Sequence, residues 1–125
     1  MKRPTATNID DCTLDDIREY LMSELPEFPL NFSIITFDDL DWVSESMAFC
    51  EGMRSYSKAM TMYLDGKLRA LPVTTSKKDL EYVSLMNKKK QFEHYSEIMD
   101  DRFQTLSRMI TIYQLKQTEL RMLGG

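Results

Sequence analysis

From Val73 to Leu123 the chain carries neither proline nor glycine. A run of that length without a breaker predicts one long helix, because proline costs about 3 kcal/mol and glycine about 1 kcal/mol inside a helix. Within it Leu85, Phe92, Tyr95, Met99, Phe103, Leu106, Ile110, Tyr113 and Leu120 form an apolar stripe. From Phe92 onward the steps are three or four residues, with Gln117 filling one slot, as in a coiled-coil seam. The expected helix runs from about Lys77 to Met122. At about 45 residues and about 1.5 Å per residue it is about 67 Å long.

The breakers that do occur divide the rest. Thr13 followed by Leu14, Asp15 and Asp16 reads as a cap with acids in the first turn, and Leu14, Ile17, Tyr20 and Leu21 share one face of the short helix that follows. Pro26 and Pro29 close that helix and open an extended linker. Phe28, Leu30, Phe32, Ile34, Ile35 and Phe37 make the one stretch with strand-like composition. A single strand leaves its backbone groups unpaired, so this stretch is expected as an apolar loop on the helices or an edge contact to another subunit. A second helix start stands at Thr36 to Asp39, and Leu40, Val43, Met47, Cys50, Tyr56, Met60, Tyr63 and Leu64 recur behind it at mostly helical spacing as far as Pro72. Gly52 is a mild fault in that helix, and Ser76 with Asp79 resembles a capping pair before the long helix.

The fold expected is therefore all-α: a long helical hairpin with a short N-terminal helix and an extended linker. Residues 1–39 form the acidic helix and linker, and residues 40–125 the hairpin and oligomerisation helix, within one structural domain. A helical hairpin with the Leu40–Leu71 segment is expected to cover only part of the long stripe. The remainder, at Phe103, Leu106, Ile110, Tyr113 and Leu120, predicts a homo-oligomer assembled through the C-terminal helix.

The net charge of −4 conceals a division. Residues 1–53 hold 12 acidic and 3 basic side chains, and residues 54–125 hold 13 basic and 8 acidic. A uniformly basic nucleic-acid coat is excluded by this balance; a local basic face is not. Basic residues are densest around the expected turn, at Arg54, Lys58, Lys67, Arg69, Lys77, Lys78, Lys88, Lys89 and Lys90, with Tyr56, Tyr63, Tyr82 and Tyr95 between them. Cations that neutralise phosphates, interleaved with rings on which bases stack, suit a single-strand binder. The same pattern also fits a solvated hairpin tip whose tyrosines belong to the core, or a basic patch that docks a protein.

Other chemistry is poorly provided for. His94 is the one histidine and Cys12 and Cys50 the only cysteines, so neither a zinc site nor a disulfide framework is expected, and both thiols read as reduced in a cytoplasmic protein. The pairs Asp10–Asp11 and Asp15–Asp16 and the trio Asp38, Asp39 and Asp41 sit at or near helix starts, where the helix dipole favours acids. Asp100 and Asp101 lie within a helix near arginines. No glycine-rich phosphate loop and no Ser–His–Asp or Cys–His grouping is present. Neither enzymatic activity nor a metal or other cofactor is expected. No apolar run approaches the roughly 18 residues of a membrane span, and no membrane association is expected. Trp42 is expected as a core anchor, and the methionines of the helical segments as adaptable packing between helices.

The window Ser57-Lys58-Ala59-Met60-Thr61-Met62-Tyr63-Leu64-Asp65-Gly66-Lys67 has the spacing Lys-Ala-x-x-x-Tyr-x-x-Gly-Lys/Arg. It is similar to a motif in the recombination mediator proteins of T4-like phages, the UvsY family. The matching positions are Lys58, Ala59, Tyr63, Gly66 and Lys67; Met60 stands where an additional basic residue is common. The resemblance implies an oligomer without catalytic activity that binds single-stranded DNA, helps a recombinase displace a single-strand binding protein, and works in the host cytoplasm. It assigns DNA contact to Lys58 and Lys67, with Tyr63 as a stacking partner. With the neighbouring cations, the expected nucleic-acid-binding set is Lys58, Tyr63, Lys67, Arg69, Lys77, Lys78, Lys88, Lys89 and Lys90. An alternative from the charge division is an acidic helical adaptor or inhibitor that imitates nucleic acid and binds a nucleic-acid enzyme. A third is a helical virion or scaffold component.

Overall fold

The computed structural model describes residues 2–25 and 37–124, with Phe37 by its backbone alone. After a 3-10 turn at Ile9–Asp11 come α1 at Leu14–Ser23, α2 at Phe37–Arg69 and α3 at Leu80–Leu123. Among the described residues there is no strand. The fold is all-α. The strand-like stretch from Phe28 to Ile35 lies outside the described residues.

Each helix end has a local cause. Thr13 caps α1 through a reciprocal pair: its Oγ1 accepts the Asp16 N–H at 3.1 Å, and the Asp16 carboxylate accepts the Thr13 N–H at 2.9 Å. α2 opens with Asp38 and Asp39 and ends with Lys67 and Arg69, charges that complement the helix dipole at both ends. Pro72 lies just past its end, with Thr75 donating to the Pro72 carbonyl at 2.8 Å in the turn. α3 starts at Leu80, a few residues later than the sequence predicts. The Asp79 carboxylate does reach back to the Ser76 N–H at 3.0 Å, but Asp79 itself is extended (ψ 140°), so Ser76 and Asp79 close a turn and the helix begins after it.

α2 and α3 form an antiparallel hairpin. Arg54 pairs with Asp100 at 2.6 Å and Asp65 with Lys89 at 3.2 Å, so each step up α2 matches a step down α3. Continued in that register, Phe37 stands level with Gln117. Leu40 accordingly lines a cleft with Tyr113, Gln114 and Gln117. Between the helices Leu85, Phe92, Met99 and Leu106 are buried at heptad spacing against Val43, Cys50, Met53, Met60 and Leu64. Ser57 is also fully buried there, and its hydroxyl has no hydrogen-bond partner among the described residues.

This register corrects the expected oligomerisation face. Leu106 is fully buried, and Phe103, Ile110 and Tyr113 are half-buried against the same core. α2 is long enough to cover them within the chain; of the expected set only Leu120, at 61% exposure, is left open.

A third layer crosses the hairpin. Ile17, Tyr20 and Leu21 of α1 are buried on it, and the Tyr20, Tyr56 and Phe92 rings stack edge-to-face with centroids 6.3 and 5.9 Å apart. Ahead of α1, Pro4 and Ile9 are fully buried. The Tyr56 hydroxyl donates to the Pro4 carbonyl, and Arg3 lies 3.9 Å from the Tyr56 ring centroid. The start of the chain is thus a strap laid over the hairpin, sharing its core.

Candidate nucleic-acid interface

The strap decides which cations face solvent. Asp10 accepts a hydrogen bond from Lys67, and the Ile9 carbonyl accepts one from Lys88 at 3.0 Å. Lys88 is only 8% exposed. Its expected place on a binding surface is therefore corrected: heptad position 88 points between α3 and the strap. Lys67 keeps about a quarter of its side chain exposed and lies 5.6 Å from the Tyr63 ring centroid. The hydrogen bond to Asp10 holds the Lys67 ammonium above its ordinary pKa and the Asp10 carboxyl below its own. Lys89 bridges Asp65 at 3.2 Å and Glu93 at 3.6 Å, and the Asp65 hydrogen bond likewise raises its pKa.

Five expected cations remain exposed: Lys58, Arg69, Lys77, Lys78 and Lys90. Arg69 pairs with Asp65 at 2.8 Å, yet 82% of its side chain is accessible, so solvent screens that pair heavily. Arg69, Lys77 and Lys78 flank the interhelical turn. Lys58 lies further along α2 beside a groove of about 390 Å³ shared with Thr61, Met62, Glu93, Ser96 and Glu97. Lys90 precedes Glu93 by three residues on α3, which places it on the same side as Lys58. Tyr63 is 37% exposed. The resemblance window therefore presents Lys58 and the rim of Tyr63 to solvent while Lys67 is held by Asp10. Gly66 has no neighbour within 4 Å of where a side chain would start, so packing does not require a glycine there.

A second cleft, of about 440 Å³, opens where the strap meets the hairpin and is lined by Asp10, Lys67, Glu81, Ser84 and Lys88. Its charges are mixed, so it forms no anion cradle. Sequence reasoning missed Ile9 and Asp10 as partners of Lys88 and Lys67. Contacts 79 and 57 residues apart leave no periodic signal.

On the acidic side Asp11, Asp38, Asp41, Glu45 and Glu51 are exposed. Among the described residues no group of three or more His, Cys, Asp or Glu side chains is placed to hold a metal ion. His94 is exposed on α3, and burial pushes the Cys12 and Cys50 thiols up from their ordinary pKa. Trp42, expected in the core, is 36% exposed near the start of α2. Among the described residues no helix is long and apolar enough to cross a membrane. No family model, no curated protein and no solved structure matches this chain.

Proposed function

We propose that this protein binds single-stranded DNA through the turn end of its hairpin and acts as a recombination mediator that helps load a recombinase. The observation that carries the reading is the Lys58–Lys67 window on α2, which exposes Lys58 and the rim of Tyr63 and leads along the helix to the exposed Arg69, with the exposed Lys77 and Lys78 across the turn. A handful of cations per chain gives weak contact, and self-association multiplies it through avidity. The exposed acids of residues 11–51 are suited to dock the basic surfaces of a recombinase or a single-strand binding protein.

Anisotropy of a labelled oligothymidylate titrated at several salt concentrations tests the reading. Binding at low salt that weakens steeply with added salt is expected; absence of binding at low salt, or a flat salt dependence, rejects it.

The same acids favour a second reading, an adaptor or inhibitor that imitates nucleic acid and binds a nucleic-acid enzyme. It predicts no oligonucleotide binding, together with capture of such an enzyme that is lost when Asp38, Asp41 and Glu45 are neutralised.

A further inference from the structure

The C-terminal third of α3 carries a second stripe on its outside, away from the seam against α2. Thr105, Arg108, Ile112, Leu115, Glu119 and Met122 follow one another in steps of three and four. All are exposed, with Ile112 at 53%, Leu115 at 60% and Met122 at 80%. The stripe is self-complementary when reversed. Laid antiparallel on a second copy, Ile112 of each chain meets Leu115 of the other, Arg108 meets Glu119, and Thr105 meets Met122. The two-fold axis then passes between Tyr113 and Gln114. Flanking positions bring no like charges together, since Thr111 meets Thr118 and Met109 meets Lys116. A parallel pairing would instead set Arg108 against Arg108 and Glu119 against Glu119.

We infer that the occupant of this face is a second copy of the chain, joined in an antiparallel two-fold dimer through residues 105–122 of α3. Charge complementarity selects both the partner and the direction. The apolar pairs Ile112–Leu115 form the centre, and the two Arg108–Glu119 pairs flank it. The contact is about 27 Å of helix at 1.5 Å per residue, a small interface, so dimerisation is weak and dependent on concentration. The inference holds whether or not the chain binds nucleic acid.

Sedimentation equilibrium on the full chain tests it with charge reversal at exposed positions that leave the core intact. The wild-type chain is expected to approach twice its 14.7 kDa mass at high micromolar concentration. Arg108→Glu and Glu119→Arg should each weaken self-association about tenfold, because each places two repulsive pairs in the dimer. Mixing the two single variants, or combining both changes in one chain, restores attractive pairs and should restore dimerisation. A wild-type chain that stays monomeric overturns the inference. So does a dimer indifferent to both reversals, or single variants that fail to recover when mixed while circular dichroism shows them folded.

Discussion

Lys88 of α3 donates its ammonium to the main-chain carbonyl of Ile9 at 3.0 Å, and both residues are buried. The charge is solvated by a carbonyl of the 3-10 turn and fastens the strap to the hairpin. Lys88→Met leaves that carbonyl with the Cys12 N–H as its remaining donor, at 3.2 Å, and is expected to lower stability by about 2 kcal/mol, the scale of a hydrogen bond to a charged group. Urea denaturation measures the loss, and limited proteolysis should cut ahead of α1 earlier than in the wild type. An unchanged denaturation midpoint would show that the contact contributes nothing.

Lys77 and Lys78 make the opposite prediction. Both are exposed beside the turn and make no ion pair among the described residues. Lys77→Ala with Lys78→Ala should leave the melting temperature unchanged while weakening oligonucleotide binding. If each contacts one phosphate, the slope of log affinity against log salt falls by about 0.7 per lysine. Lys88→Met should leave that slope alone. A reversed result would place the contact under the strap instead of at the turn.

Gly66 belongs to the resemblance window, yet it lies within α2 with open space around it. Gly66→Ala should raise stability by about 1 kcal/mol, because alanine loses less backbone entropy in a helix. For a chain of this size that corresponds to a rise in melting temperature of about 4 °C. Thermal denaturation checks the gain. A simultaneous drop in oligonucleotide affinity would mean that the glycine serves close approach of a strand.

The long helices were legible because their causes are local. The absence of breakers after Pro72, Thr13 as the cap of α1 and the stripe that contains Leu85, Phe92, Met99 and Leu106 can all be read along the chain, and all stand in the structure. What covers what was not legible. Periodicity marks a buried face without naming its partner, so Phe103, Ile110 and Tyr113 read equally well as an oligomer seam and as the lining of a hairpin. The Arg54–Asp100 register decides for the hairpin. The candidate site suffered the same limit. A count of lysines cannot separate Lys88, turned inward to Ile9, from Lys90, turned to solvent two residues later. The outer stripe from Thr105 to Met122 had the spacing of a seam but half its positions are polar, and the stronger stripe masked it.

Ser57 offers a test of the interhelical core. Its side chain is fully buried between α2 and α3 with the hydroxyl unpartnered among the described residues. Ser57→Ala removes one atom and the cost of desolvating it, so stability should rise by about 1 kcal/mol in chemical denaturation. A loss of stability would reveal that the hydroxyl is in fact hydrogen-bonded in solution.

The strap should loosen at both ends of the pH scale. Asp16 is held below its ordinary value of 3.8 by hydrogen bonds from the Thr13 backbone and side chain, and Asp10 by the hydrogen bond from Lys67. A carboxylate whose pKa is depressed by folding stabilises the fold fully above its unfolded value. That contribution is lost as pH falls through the folded value, here below about 4. Lys67 has the reverse sign: its folded pKa lies above 10.5, so its contribution is present below that pH and disappears as pH rises through the folded value. The contribution of the Asp10–Lys67 pair is therefore complete across the intervening range. It is small, because Asp10 is largely exposed. Backbone amide NMR across an acid titration should show Ile9 and the first turn of α1 shifting before the α2–α3 core does. Asp16→Asn should shift those resonances toward their acid positions at neutral pH. If the core amides move first, acid acts through the hairpin and the strap is not the weaker layer.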